Sequence, residues 1–138
     1  MKFLSVNKNN LHHLKNFIDN MGSSIKTFRY YCARKPEEVI SDHIITLLLF
    51  DNDCVGYGHL DMEEDTVWLG ICVKQSYQGK GYGKKIMKEL VGYYDGDIHL
   101  SVDSDNVGAI NLYKIFHFKK IRQKDFTVYM KRSHAAHI

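Results

Sequence analysis

The sequence lacks most of what would mark a secreted, membrane-spanning or fibrous chain. Three cysteines, Cys32, Cys54 and Cys72, occur in 138 residues without any C-x-x-C spacing, which argues against a zinc ribbon or a redox pair. Two of them lie in apolar strand-like runs, so reduced thiols in a cytoplasmic protein are expected. No apolar run approaches the roughly 18–20 residues that cross a bilayer, and the N-terminus lacks a signal peptide's apolar region, so no membrane partner is expected. A charge surplus is missing too: 19 Lys and Arg against 16 Asp and Glu leave a formal +3, too little for a nucleic-acid surface. Metal-ligand clusters are absent, because His12 and His13 face different ways on a helix and His134 and His137 fall in the tail. With no repeat, low-complexity segment or linker, residues 1–132 read as a single domain and 133–138 as a frayed tail.

What is present is an ordinary globular composition, 44% apolar and 25% charged, with one unusual stretch: Gln78-Gly79-Lys80-Gly81-Tyr82-Gly83-Lys84-Lys85. The run Val67–Val73 ahead of it is β-branched and aromatic. Behind it, Ile86, Met87, Leu90 and Val91 recur at helical spacing. A strand therefore feeds a glycine-rich turn that opens a helix. Glycine permits left-handed backbone there, and the unpaired N–H groups of a helix N-terminus attract an anion, with Lys80, Lys84 and Lys85 beside it. The spacing fits neither G-x-G-x-x-G nor the Walker A pattern.

The remaining elements follow from local pattern. Lys2–Val6 reads as a strand, and Leu11, Leu14, Phe17, Ile18 and Met21 as a helix stopped by Gly22. Pro36, Glu37 and Glu38 open a short second helix. Ile44–Phe50, Cys54–Met62 and Val67–Val73 are three strands joined by short acidic turns, an antiparallel meander. After the glycine turn and its helix come a strand at Ile98–Val102 and a helix striped by Ala109, Leu112, Tyr113 and Phe116. Two strands, around Lys120–Arg122 and Phe126–Met130, end the pattern. The order is βααβββαβαββ, an α+β fold with a mixed, mostly antiparallel twisted sheet of about seven strands and four helices.

Gln78-x-x-Gly81-x-Gly83 after a strand resembles the acetyl-CoA pyrophosphate loop of the GNAT superfamily of N-acetyltransferases, and the element order is also that of the GNAT fold. Asn106, Ala109, Leu112, Tyr113 and Phe118 are similar to that family's Asn-x-x-Ala-x-x-Leu-Tyr-x-x-x-Gly-Phe helix, with His117 in place of the glycine. The resemblance implies acetyl transfer from acetyl-CoA to a primary amine by direct attack in a ternary complex. It implies that Gln78, Gly79, Lys80, Gly81, Tyr82, Gly83 and Lys84 hold the pyrophosphate. It further implies that the pantetheine arm lies between the fourth and fifth strands, and that a backbone N–H at Ile71, Cys72 or Val73 polarises the thioester. Asn106, a possible helix cap, would touch the cofactor arm, and Tyr113 would be the general acid.

Many family members carry a glutamate base on the fourth strand, but Val67–Val73 offers no acid. His59 and Asp61, together on one face of the preceding strand, become the candidates, with His99 third and a water relay as the alternative. Asp61 could instead hold the acceptor's ammonium. Phe28, Arg29, Tyr30 and Tyr31, with Trp68, fall where the family builds the acceptor wall. Their aromatic and basic character suits an amino sugar or nucleotide-linked amino sugar, whereas Glu63-Glu64-Asp65 suits a polyamine, aminoglycoside or protein N-terminus. A non-catalytic acyl-CoA-binding module is the rival of another class. A monomer or homodimer is expected.

Overall fold

Leu47 and Leu49 point to one side of their strand and Leu48 to the other, and all three are buried, so the sheet must be covered on both faces. The computed structural model describes residues 1–134 and shows this arrangement. The described elements are β1 (Lys2–Ser5), α1 (Leu11–Asp19), α2 (Pro36–Val39), β2 (His43–Asp51), β3 (Asp53–Glu63), β4 (Thr66–Val73), α3 (Tyr82–Tyr93), β5 (Ile98–Asp103), α4 (Val107–Ile115), β6 (Lys119–Lys124) and β7 (Thr127–Arg132). This is the order read from the sequence. The seven strands of the described sheet run β1-β2-β3-β4-β5-β7-β6, antiparallel throughout except for β4–β5.

One face packs Val55, Leu60 and Leu69 against Ile86, Met87 and Leu90 of α3 and Tyr113 of α4. The other packs Leu48, Tyr57 and Cys72 against Leu14 and Phe17 of α1. Three local departures from expectation have physical causes. Helix α1 ends at Asp19, before Met21, because the Asn20 N–H turns to Phe17 O; the left-handed Gly22 (φ 65°) then begins a tight turn over Gly22–Lys26. His117 takes the left-handed position (φ 70°) that ends α4, at roughly 1–2 kcal/mol of backbone cost. The tail expected to fray from residue 133 is ordered at His134, whose N–H donates to Asp97 at 2.8 Å; residues 135–138 of that tail lie outside the described residues.

Candidate active site

Strands β4 and β5 are in register only at Val67–Ile98 and Trp68–His99, and beyond Trp68 they part. A cavity of about 900 Å³ runs along this gap. Lys74 N–H donates to Val55 O, so alternation along the β3–β4 ladder turns the amides of Cys72 and Gly70 toward β3 and those of Ile71 and Val73 toward the gap. Of the three amides considered from sequence, Cys72's is therefore used inside the sheet. Its thiol lies in the α1-side core, and burial pushes it up to about 12, a neutral group at working pH.

The glycine turn closes one end of the cavity. Gly79 and Gly81 have φ of 78° and 85°, and a Cβ at either would meet nothing within 4 Å, so backbone conformation alone demands glycine. Gly81 is the N-cap of α3, whose first-turn N–H groups have no intrahelical partner. Two tyrosines brace the turn: Tyr77 Oη donates to Asp53 (2.7 Å) and Tyr82 Oη to Asp51 (2.5 Å), both on the β2–β3 hairpin. The Gln78 side chain donates to Val73 O and Ser24 Oγ, each at 3.2 Å, fastening the turn to β4. Gln78 and Gly83 line the cavity, while Gly79, Lys80, Gly81, Tyr82 and Lys84 form the turn between and beside them.

Tyr113 and Asn106 of the second motif reach the same cavity. Asn106 Oδ1 accepts from Ala109 N–H at 3.2 Å, a genuine helix cap. Tyr113 is buried, yet among the described residues its hydroxyl has no partner. Burial, with the Cys72 sulfur adding to it, raises its pKa and keeps the phenol protonated.

Further along, β3 and the segment 28–34 build a polar network. A bulge in β2 between His43 and Ile45 puts His43 and Thr46 on one face, with their side chains 2.7 Å apart. Tyr30 Oη donates to Asp61 Oδ2 at 2.7 Å, so its oxygen must accept from His43 Nε2–H at 2.9 Å, and His43 Nδ1 accepts from Thr46 Oγ. Asp61 Oδ1 is buried without a partner. A second chain links His59 Nδ1 to Tyr57 Oη and Tyr57 Oη to Tyr31 Oη, each pair sharing a hydrogen bond of 2.6 Å. His59 Nε2 is left over, directly above Gly70: a Cβ there would lie 2.6 Å from it. The imidazole thus fills, from β3, the space over β4 where a side chain at residue 70 would stand. Burial, then the neighbouring His43, lowers the His59 pKa well below 6.5.

Most of the residues singled out from sequence meet here: Phe28, Arg29, Tyr30, His59, Asp61 and Trp68 line one cavity with Tyr113. Tyr31 does not; its hydroxyl turns inward to Tyr57, behind the wall. His99 does not either, its ring lying against Trp68 outside the cavity lining. Neither arginine of the segment 28–34 is free. Arg29 forks onto Asp103 at 2.8 and 3.0 Å, and Arg34 pairs with Glu63 at 3.6 Å. His43 and the β6–β7 residues Arg122 and Tyr129 were missed. The bulge that aims His43, and the pairing that brings β7 beside β5, leave no mark in local periodicity.

The model of the acetyltransferase (GNAT) family matches residues 9–118. The chain belongs to that family. A spermine/spermidine N(1)-acetyltransferase of Bacillus subtilis is 34% identical to this GNAT chain over 93 residues, 57% of the chain and 61% of the relative. This chain thus spans about three fifths of that relative's length. Among solved structures, a spermidine N-acetyltransferase SpeG chimera from Vibrio cholerae and hSSAT superposes with a TM-score of 0.74 at 14% identity, covering 98% of each chain. The PaiA N-acetyltransferase of Thermoplasma acidophilum, in complex with coenzyme A, gives 0.71 at 17% identity, covering 96% of this GNAT chain and 99% of that one. At these identities the structural likeness concerns the fold. Among the described residues no group of three or more His, Cys, Asp or Glu side chains could hold a metal, and no helix is long and apolar enough to cross a membrane.

Proposed function

We propose that this protein transfers the acetyl group of acetyl-CoA to a primary amine of a small, cationic acceptor. The observation that carries the reading is one continuous cavity joining the anion-binding turn, the unpaired Tyr113 hydroxyl and the free His59 Nε2. Acetyl-CoA supplies an activated thioester. The turn at 78–84 offers N–H groups and charge to its pyrophosphate, and the Ile71 and Val73 amides face the gap as donors to a developing oxyanion. Tyr113 donates its proton toward the departing sulfur. His59 Nε2 accepts a proton from the acceptor ammonium, which requires its hydrogen on Nδ1, donated to Tyr57 Oη. Cys72, whose thiol is buried in the α1-side core, is held neutral, which favours direct attack over an acyl-cysteine.

A cationic acceptor is favoured because Arg29 and Arg34 are already paired with carboxylates, which leaves the segment no free guanidinium for the anionic part of a nucleotide-linked amino sugar. The Bacillus subtilis relative named for spermine and spermidine supports the same direction. The test is thiol release from acetyl-CoA across a panel of spermidine, 1,4-diaminobutane, butylamine and glucosamine 6-phosphate. Turnover highest with the di- and polyamines is expected; binding of CoA without release above hydrolysis would assign a non-catalytic module.

The base also makes a prediction. Because the His59 pKa is lowered in the fold, the neutral, competent form persists below pH 6.5. The acid limb of kcat/KM is therefore expected well below the value of about 6.5 for a free histidine. His59→Gln should remove that limb and cost less than the roughly 10²-fold of a well-matched general base, since a weak base gains less. A parental limb retained in the variant would leave solvent as the proton acceptor.

A further inference from the structure

We infer that the cavity contains a second cation subsite, built from Asp61, Glu63 and the Tyr30 ring, which takes the distal ammonium of a diamine acceptor and is filled by Arg34 in the free protein. The inference rests on the acetyl-transfer reading and adds to it the order of the acceptor's two charges.

Three observations converge on it. Asp61 is 3% exposed and lines the cavity; its Oδ2 is satisfied by Tyr30, but its Oδ1 has no N–H or hydroxyl donor, only the neighbouring Glu63 carboxyl. A buried carboxylate oxygen without a partner is costly, and an ammonium is the partner that completes it. The place already attracts a cation: the Arg34 guanidinium sits 4.3 Å over the Tyr30 ring and 3.6 Å from Glu63 Oε1. Both partners of that ion pair are substantially exposed, so the contact is readily exchanged for another cation. Glu63 is pushed upward by burial and by the Asp61 charge, so the two carboxyls are neighbours, and one guanidinium does not neutralise both.

The strand then orders the two positions. Asp61 is two residues along β3 from His59, and both side chains project from the same face, so their backbone positions are about 6.6–6.8 Å apart along the strand. A short diamine matches this order: the nitrogen hydrogen-bonded to His59 Nε2 is the one acetylated, and the distal ammonium meets Asp61 Oδ1 and displaces Arg34 from Glu63. A monoamine of the same length fills the first position and leaves Asp61 unpaired.

The experiment compares kcat/KM for 1,4-diaminobutane and butylamine. The parent should prefer the diamine about tenfold, the value of one charge-assisted contact. Arg34→Ala removes the internal competitor and should raise the preference severalfold, Arg34→Lys should keep it near parental, and Glu63→Gln should lower it about tenfold. Asp61→Asn should abolish the preference, but Asp61 is buried and holds Tyr30, so the exposed pair carries the decision. No preference in the parent, or a preference unmoved by Arg34→Ala and Glu63→Gln, overturns the subsite. If no amine releases thiol, the acetyl-transfer reading has failed. Calorimetric titration of 1,4-diaminobutane into the protein then still reads the subsite: tighter binding in Arg34→Ala supports it, and no binding in either protein overturns it.

Discussion

Gly81→Glu is expected to abolish acetyl-CoA binding and leave a folded protein. Gly81 has φ of 85°, and a Cβ there would meet no atom within 4 Å, so the substitution starts in open space and its cost is that of the backbone. The backbone cost of a non-glycine residue is roughly 1–2 kcal/mol, tolerable for a domain of this size. The effect on binding is far larger. The carboxylate enters where the first-turn N–H groups of α3 point at their anion, and each unit of like charge at about 4 Å costs roughly 4 kcal/mol near a protein surface. A loss of the order of 10³-fold in affinity follows, read as disappearance of the melting-temperature rise that acetyl-CoA gives the parent. Gly81→Ala carries the backbone cost without the charge and should retain measurable binding. A Gly81→Glu protein that binds like the parent would show that the turn is not the phosphate cradle.

Tyr113→Phe should lower kcat by roughly 10²-fold with acetyl-CoA affinity nearly intact. A buried tyrosine that serves packing alone usually finds a partner for its hydroxyl, and this one has none among the described residues while lining the cavity. Its raised pKa keeps the phenol protonated, so in the proposed reaction it would stabilise the leaving sulfur chiefly as a hydrogen-bond donor. The same geometry predicts unchanged stability, because no protein hydrogen bond is lost with the oxygen. Loss of stability at parental kcat would make Tyr113 a packing residue. Chemical denaturation alongside steady-state kinetics separates the two outcomes.

By itself the sequence determined the element order, the glycine turn and helix α4 with its Asn106 cap. These are local properties: alternation, helical spacing and glycine's freedom act over a few residues and survive without knowledge of neighbours. It also brought His59 and Asp61 to one face, because a strand's period of two is equally local. Tertiary structure decided what those residues do. His59 is opposite Gly70 because of the β3–β4 register, and its pKa falls because that register buries it. His43 joins Tyr30 and Asp61 through a bulge in β2, and Tyr31 leaves the acceptor wall because Tyr57 takes its hydroxyl. Arg29 meets Asp103, 74 residues away, and Arg34 meets Glu63, so both arginines of a segment that reads as basic are paired with carboxylates. Such pairings depend on which strands lie side by side and in what register, which is fixed by packing of the whole sheet against its helices.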